Sequence, residues 1–154
     1  MTETALDKAL QLVARRPHFR AELRRKLVAR GFDEDEVAAA LGRLTELGYL
    51  DDAELAAREG ERLRERRGLG RAGIAAELAR KGAGPAEVDG ALAGGDADSE
   101  LEAARAVGRR WLAGRRPDAA ALARHLDRKG YAGHVIFRVL RELIPDAPGD
   151  PGAG

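Results

Sequence analysis

Apolar residues recur at one helical spacing three times along the chain. In each copy, two apolar residues are four positions apart, and a Gly stands four positions after the second of them. Two more apolar residues stand six and ten positions after the Gly. The copies are Leu23, Leu27, Gly31, Val37 and Leu41; Ile74, Leu78, Gly82, Val88 and Leu92; and Leu122, Leu126, Gly130, Ile136 and Leu140. Spacings of four predict one face of a helix, and the Gly is typical of a left-handed helix end. The pattern therefore predicts repeated helix pairs.

An apolar helical segment precedes each copy, so each repeat is predicted to contain three helices. The predicted helices are 3–15, 20–30 and 34–47, then 52–67, 71–81 and 85–93, then 99–113, 119–129 and 133–144. No alternating strand pattern extends beyond a few residues. The expected fold is all-α, an elongated array of three tandem three-helix repeats, because one helix pair cannot bury its apolar faces alone. The predicted boundaries are 1–50, 51–94 and 95–144, followed by a disordered tail at 145–154.

Several helix starts are predicted from local signals. Asp33 with Glu36 has the spacing of a capping box, and Ser99 with Glu102 marks another helix start. Pro85 suits the first turn of a helix.

The position before the second helix of each repeat is held in turn by Phe19, Gly70 and Asp118. Gly and Asp are residue types that cap helices, whereas Phe is not, so Gly70 and Asp118 are expected to cap.

The few aromatic side chains and the His residues are expected to play structural roles. Core positions are expected for Tyr49, Trp111, Tyr131 and Phe137, and their scarcity argues against a platform for stacking nucleic-acid bases. His125 is expected at the surface, since the matching positions hold Lys26 and Glu77.

Charge alternates along the chain although the net charge is only +1. Residues 15–30 and 105–129 are strongly basic and 58–81 are basic, while 33–54 and 96–102 are acidic. Such alternation on a repeat array suits binding along an extended partner.

The first repeat also carries short motifs that resemble one known family. These are Arg20-Ala21-Glu22-Leu23, Gly31-Phe32 and, most specifically, Gly48-Tyr49-Leu50-Asp51-Asp52; Arg128 to Tyr131 resembles the closing part of the same family. Over roughly residues 4–144 the chain resembles the RecX family. The resemblance implies three tandem three-helix repeats that bind RecA–DNA filaments in their groove. It also implies inhibition of ATP hydrolysis, strand exchange and coprotease activity.

Arginines are the candidate partner-binding residues, because guanidinium groups pair bidentately with carboxylates and phosphates. The competing interpretation of each is a solvated helix face. The candidates are Arg20, Arg24, Arg25, Arg66, Arg67, Arg71, Arg115, Arg116, Arg124 and Arg128. The expected partner is RecA in filaments on single-stranded DNA, with weak direct DNA binding left open. Two alternatives remain: a RecA-independent DNA-binding protein with helix-turn-helix-like repeats, and a helical scaffold for another protein.

Motifs for catalysis are missing from the sequence. It contains no nucleophile elbow, P-loop, HExxH or dinucleotide fingerprint, so no enzyme activity and no cofactor are expected. The acidic run Asp33 to Glu36 is interpreted as a helix start rather than a metal site. No apolar run approaches the roughly 20 residues of a membrane span, and the first residues do not resemble a signal peptide. A cytoplasmic monomer without membrane contact is expected.

Overall fold

The computed structural model describes residues 2–147, and all regular secondary structure in that part of the chain is helical. The helices are α1 (Ala5–Arg15), α2 (Arg20–Ala29), α3 (Glu34–Glu46), α4 (Asp52–Arg67), α5 (Arg71–Lys81), α6 (Pro85–Leu92), α7 (Ala97–Leu112), α8 (Ala119–Arg128) and α9 (Gly133–Leu143). Every bound agrees with its predicted bound to within two residues, so the predicted all-α fold of tandem three-helix repeats is confirmed. Residues 148–154 of the predicted tail lie outside the described residues.

The chain forms two compact units, and each has its own core. Unit one is Met1–Gly60 with Glu77–Ala93, and unit two is Glu61–Ala76 with Gly94–Gly154. The core of unit one is Ala9, Leu23, Leu27, Val37, Leu41, Leu44 and Leu50. The core of unit two includes Leu101, Ala104, Val107, Leu122, Leu126, Tyr131, Val135, Ile136 and Val139. The predicted boundaries of the three repeats stay a prediction, because the second repeat contributes residues to both units.

Glycine ends the second helix of each repeat, as predicted. The φ angles of Gly31, Gly82 and Gly130 are 92°, 115° and 91°, in the region that residues with a Cβ rarely adopt. After Gly130 the backbone N–H of Tyr131 donates to the carbonyl of Leu126 at 3.2 Å, which closes the helix end.

Two predicted helix starts differ in detail. The Asp33 carboxylate caps α3 by accepting from the N–H of Asp35 at 3.2 Å. The Glu36 carboxylate does not bond back to the N–H of Asp33 but accepts from the N–H of Ala5 at 2.9 Å. The expected capping box at Asp33 is therefore wrong, because the Glu36 carboxylate is drawn to the unpaired N–H groups at the start of α1.

The start of α7 also differs from the prediction. Asp96 is the N-cap, and its side chain accepts from the N–H of Ser99 at 2.7 Å. Ser99 is thus the third residue of the helix rather than its cap. Glu102 pairs with Arg105 at 2.6 Å, so it takes no part in the capping.

The second helices of the first two repeats are capped from the next repeat. Phe19 makes no capping hydrogen bond, and the Asp52 carboxylate accepts from the N–H of Arg20 at 2.9 Å. In unit two, the Glu100 carboxylate accepts from the N–H of Arg71 at 2.8 Å. Each carboxylate lies at or near the start of the following helix trio, so one contact caps a helix and joins two successive repeats.

The third repeat caps its second helix itself. The Asp118 carboxylate accepts from the N–H of Ala121 at 3.0 Å, as the sequence predicts. No further helix follows this repeat within residues 2–147, so a local cap takes the place of the carboxylate from a neighbour.

Two backbone segments of unit two touch because of glycine. The N–H of Gly70 donates to the carbonyl of Lys129 at 2.8 Å, and that of Ala72 donates to Gly130 at 3.2 Å. A Cβ on Gly130 would lie only 2.0 Å from the nitrogen of Gly73. Glycines at both positions therefore permit the start of α5 to pack directly against the end of α8.

Candidate partner-binding surface

All ten candidate arginines are exposed to solvent. Three belong to unit one and seven to unit two. The three are Arg20, Arg24 and Arg25; the seven are Arg66, Arg67, Arg71, Arg115, Arg116, Arg124 and Arg128. Exposure makes every one of them accessible to a partner. They differ in the contacts that each already makes within the protein.

In unit one, the candidates lie along α2, whose buried side holds Leu23 and Leu27. Arg24 pairs with Glu34 at 2.6 Å, and both side chains are more than half exposed. Such a pair is worth only about 0.2–1 kcal/mol, so an incoming carboxylate or phosphate can compete for Arg24. Arg25 forms no ion pair with any residue from 2 to 147.

In unit two, the end of α4 and the start of α5 lie beside the end of α8. The ammonium group of Lys129 donates to the backbone carbonyl of Arg67 at 2.8 Å. Arg71 begins α5, where its N–H is held by Glu100. Lys129 thus adds a cation to the predicted set, and only the tertiary contact brings it next to Arg66 and Arg67.

A stack of side chains joins α7 to α8. The guanidinium of Arg115 lies 4.8 Å from the centre of the Trp111 ring, within the range of a cation–π contact. The Trp111 and His125 rings stack with centres 5.8 Å apart. Burial lowers the pKa of His125, and the positive charges of Lys129, Arg128 and Arg115 lower it further. These groups therefore form a local basic cluster around a neutral imidazole.

Arg116 and Arg124 form no ion pair with the described part of the chain, and neither does Arg66. An unpaired exposed Arg needs to break no internal contact before it binds an anion. Together with Arg25 and Arg128, which also form no ion pair within residues 2–147, these side chains are the members of the predicted set that are most available to a partner.

Of the four aromatic residues predicted to lie in the core, two are confirmed there. Tyr131 is 3% exposed, and its hydroxyl donates to the carbonyl of Gly68 at 2.8 Å. Burial raises the pKa of Tyr131 to about 12. Trp111 packs against the core of unit two. The prediction is wrong for Tyr49 and Phe137, which are 57% and 44% exposed, because their positions face solvent.

His125, which was expected at the surface, is partly exposed and also makes a ring contact. Its ring is half-buried because it stacks on Trp111. The sequence signal for the cation–π contact was weak: Arg115 follows the sole Trp of the chain, Trp111, by four residues but lies beyond the end of α7. The contact of Trp111 with α8 had no comparable signal.

Residues 2–147 contain neither a metal-binding cluster nor a membrane-spanning helix. No group of three or more His, Asp or Glu side chains is placed to hold a metal ion. No helix in that range combines the length and the apolar character needed to cross a membrane.

Comparison with known proteins gives consistent matches. A family model described as the first three-helix domain of RecX matches residues 5–44. The regulatory protein RecX of Mycolicibacterium vanbaalenii is 42% identical over 98 residues, which cover 64% of this chain and 53% of that protein. That of Xanthomonas axonopodis pv. citri is 38% identical over 151 residues, which cover 94% of this chain and 90% of the relative. The crystal structure of RecX from Lactobacillus salivarius matches in fold, with a TM-score of 0.79, 18% identity, and coverage of 92% and 95%.

Proposed function

The chain belongs to the RecX family of regulatory proteins, and on that premise we propose that it binds RecA filaments on single-stranded DNA and inhibits them. The activities affected are ATP hydrolysis, strand exchange and coprotease activity. The observation that carries the proposal is the set of ten exposed arginines, distributed over both compact units. A filament repeats its surfaces along its axis, so it offers each unit a carboxylate or phosphate.

Binding through several weak contacts explains how modest charge gives useful affinity. An exposed ion pair contributes about 0.2–1 kcal/mol by itself. When one chain carries several such contacts, the later ones form at high effective concentration, and avidity exceeds any single affinity by about 10²–10⁴. Inhibition follows where the bound chain occupies the filament groove or holds neighbouring subunits in one state.

The acidic segments favour a protein–DNA filament over DNA alone. The net charge is +1, and acidic residues such as Asp33 to Glu36 separate the basic helices. Proteins that depend on phosphate contacts alone are generally much more basic. The acidic helix starts suit basic loops of the filament protein, which naked DNA does not offer.

Direct binding to DNA is the second candidate function. It is favoured by the cluster of Arg115, Arg128 and Lys129 around the Trp111–His125 stack. It predicts binding to DNA without RecA and a steep loss of affinity as salt rises.

The first experiment measures the DNA-dependent ATP hydrolysis of RecA while this protein is added at well below one copy per RecA. We expect hydrolysis to fall at such doses, since one bound chain affects several subunits. Unchanged hydrolysis together with no co-sedimentation on filaments contradicts the proposal, and DNA binding in the absence of RecA then becomes the leading function.

The arginine surface is tested by a triple charge reversal, Arg24→Glu, Arg67→Glu and Arg116→Glu. We expect filament affinity to fall at least about tenfold, because anchoring contacts on both units are reversed. The matched control reverses Arg43, Arg58 and Arg80, which are exposed, lie outside the candidate set and pair with nearby carboxylates. Helicity by circular dichroism should be retained in both. Equal affinities of the two triple variants would refute the arginine surface.

A further inference from the structure

The third repeat exposes an aromatic side chain at a position where the other repeats do not. Phe137 lies on α9 one residue after the buried Ile136 and is 44% exposed. The same register position holds Ala38 in the first repeat and Asp89 in the second, both exposed. The repeat therefore folds without an aromatic residue here. A single exposed apolar side chain is common on protein surfaces, so the surroundings of Phe137 decide whether this surface can bind a partner.

Arginines surround Phe137, and two of them are also particular to this repeat. The positions of Arg138 and Arg141 are held by Ala39 and Gly42 in the first repeat and by Gly90 and Ala93 in the second. Arg141 places its guanidinium 5.7 Å from the centre of the Phe137 ring. The exposed face of α9 is thus aromatic and basic, where the equivalent faces are small or acidic.

A groove runs between α8 and α9 beside Phe137. Its volume is about 360 Å³, and Phe137 forms one wall. The apolar side chains of Ala123, Ile136 and Leu140 line the groove. Gly133 also lines it and has no side chain to fill it. The groove is shallow and open to solvent, and its volume is sufficient for one bulky apolar side chain.

The charges at the edge of the groove favour an acidic occupant. Arg124 lines the groove and pairs with no carboxylate in residues 2–147, and Arg141 has only its contact with Phe137. Arg138 lies 3.6 Å from Glu142, whose carboxylate is held more closely by Arg105 at 2.6 Å. Asp127 is the acidic side chain in the lining. The cations thus outnumber the uncompensated acids.

We propose that this groove binds an acidic segment of the RecA filament protein, which inserts one bulky apolar side chain against Phe137. The proposal rests on the proposed function, since it assigns a docking surface to the same partner. A protein segment is favoured over nucleic acid for two reasons. The lining is aliphatic rather than a flat stacking surface, and Arg141 already covers part of the Phe137 ring. Carboxylates of the segment pair with Arg124 and Arg141.

The first test compares Phe137→Ala with Leu47→Ala in co-sedimentation with RecA filaments on single-stranded DNA. Leu47 is a suitable control because it is 46% exposed, belongs to unit one and lies outside the groove. We expect Phe137→Ala to weaken binding at least about tenfold, as loss of a central aromatic anchor does, and Leu47→Ala to bind like the wild type. Both variants should melt within a few degrees of the wild type, since nearly half of each residue is already exposed to solvent.

The outcomes separate this inference from the proposed function. If the wild type binds filaments and Phe137→Ala binds equally well, or Leu47→Ala loses as much affinity, the groove is refuted while the proposed function stands. If the wild type neither binds nor inhibits, both are refuted. Reversal of Arg124 and Arg141 together to Glu should also weaken binding about tenfold.

A photocrosslink identifies what occupies the groove. The full-length protein is made with p-benzoylphenylalanine in place of Phe137 and is irradiated on purified filaments. We expect crosslinks to a RecA peptide that contains Asp or Glu beside a bulky apolar residue. Crosslinks to DNA, or none from a protein that still binds filaments, would overturn the proposal.

Discussion

Buried polar side chains in this protein are held by specific neighbours. No buried side-chain nitrogen or oxygen among residues 2–147 lacks a hydrogen-bond partner. His18 is 3% exposed, with its Nδ1 at 2.9 Å from the carbonyl of Arg16 and its Nε2 at 2.9 Å from the ammonium of Lys26. The Arg16 carbonyl accepts a hydrogen from Nδ1, and Lys26 donates to Nε2, so the ring is neutral with its proton on Nδ1.

This arrangement predicts a loss of stability in mild acid. Burial lowers the pKa of His18, the positive charges of Arg16 and Lys26 lower it further, and the Arg16 carbonyl and Glu22 oppose them. With a folded pKa below the unfolded value of about 6.5, the unfolded chain binds more protons. The free energy of unfolding should therefore decline as the pH falls below about 6.5 and level off below the folded pKa.

Urea unfolding at several pH values checks this expectation. His18→Asn should flatten the decline, whereas His134→Asn, at an exposed position, should keep the wild-type profile. An unchanged slope in His18→Asn would contradict the assignment.

At the scale of helices, some helix starts are capped by a residue of another helix rather than by their own N-cap residue. The start of α2 is capped by Asp52 at the start of α4, and the start of α5 is capped by Glu100 on α7. The end of α8 packs against the start of α5 through glycines. Helix ends are thus the points where successive repeats meet.

Removal of the cap from a neighbouring helix should destabilise α2. Asp52→Ala leaves the N–H of Arg20 without its acceptor and should lower the free energy of unfolding by about 1 kcal/mol. Glu54→Ala is the matched control in the same first turn of α4, since Glu54 only pairs with Arg58 at the surface at 3.7 Å. Equal losses in chemical denaturation would show that the contact of Asp52 does not cap α2.

Two glycines with the same backbone angle should respond differently to substitution. Gly31 and Gly130 have φ angles of 92° and 91°, but only Gly130 has backbone atoms where a Cβ would lie. Gly31→Ala should cost about 1–2 kcal/mol from backbone strain alone. Gly130→Ala should cost several kcal/mol, or prevent unit two from folding, because α5 and α8 must separate. Thermal and urea unfolding of both variants would reveal the difference, and equal costs would contradict the close packing.

At the scale of the whole molecule, each compact unit contains one junction between successive repeats. Unit one holds the contact of Asp52 with Arg20, and unit two holds that of Glu100 with Arg71. The second repeat contributes to both, because its helices α4 and α5 pass from one unit to the other. The buried clusters of the first and third repeats each lie within one repeat, whereas the second repeat is divided between the two units.

Fragments test this division. Residues 1–93 contain all of unit one and should fold cooperatively, whereas residues 1–50 lack Asp52 and the packing of Gly82 against Phe19 and Glu22. We expect the shorter fragment to be clearly less stable in urea, by at least about 2 kcal/mol from the lost cap and the lost apolar burial. Equal stability of the two fragments would contradict the division.

The helices of this protein and their ends could be located from the amino-acid sequence alone. The apolar spacing placed Leu23, Leu27 and their counterparts in the core, and Gly31, Gly82 and Gly130 at helix ends, because helix periodicity and the conformational freedom of glycine are local properties. The ten candidate arginines are exposed, as charged side chains usually are. The family was also evident, since its motifs are short and local.

The contacts between the helices could not be predicted in the same way, because they join residues that are remote in sequence. Asp52 and Glu36 reach helices far from them in sequence, and Lys129 joins the arginines at the end of α4 through such a contact. Phe137 was expected in the core, but the packing of α8 against α9 leaves it exposed. The spacing of apolar residues along a helix specifies which of its side chains face inward. The choice of partner depends on distances between segments remote in sequence, which only the packed chain sets.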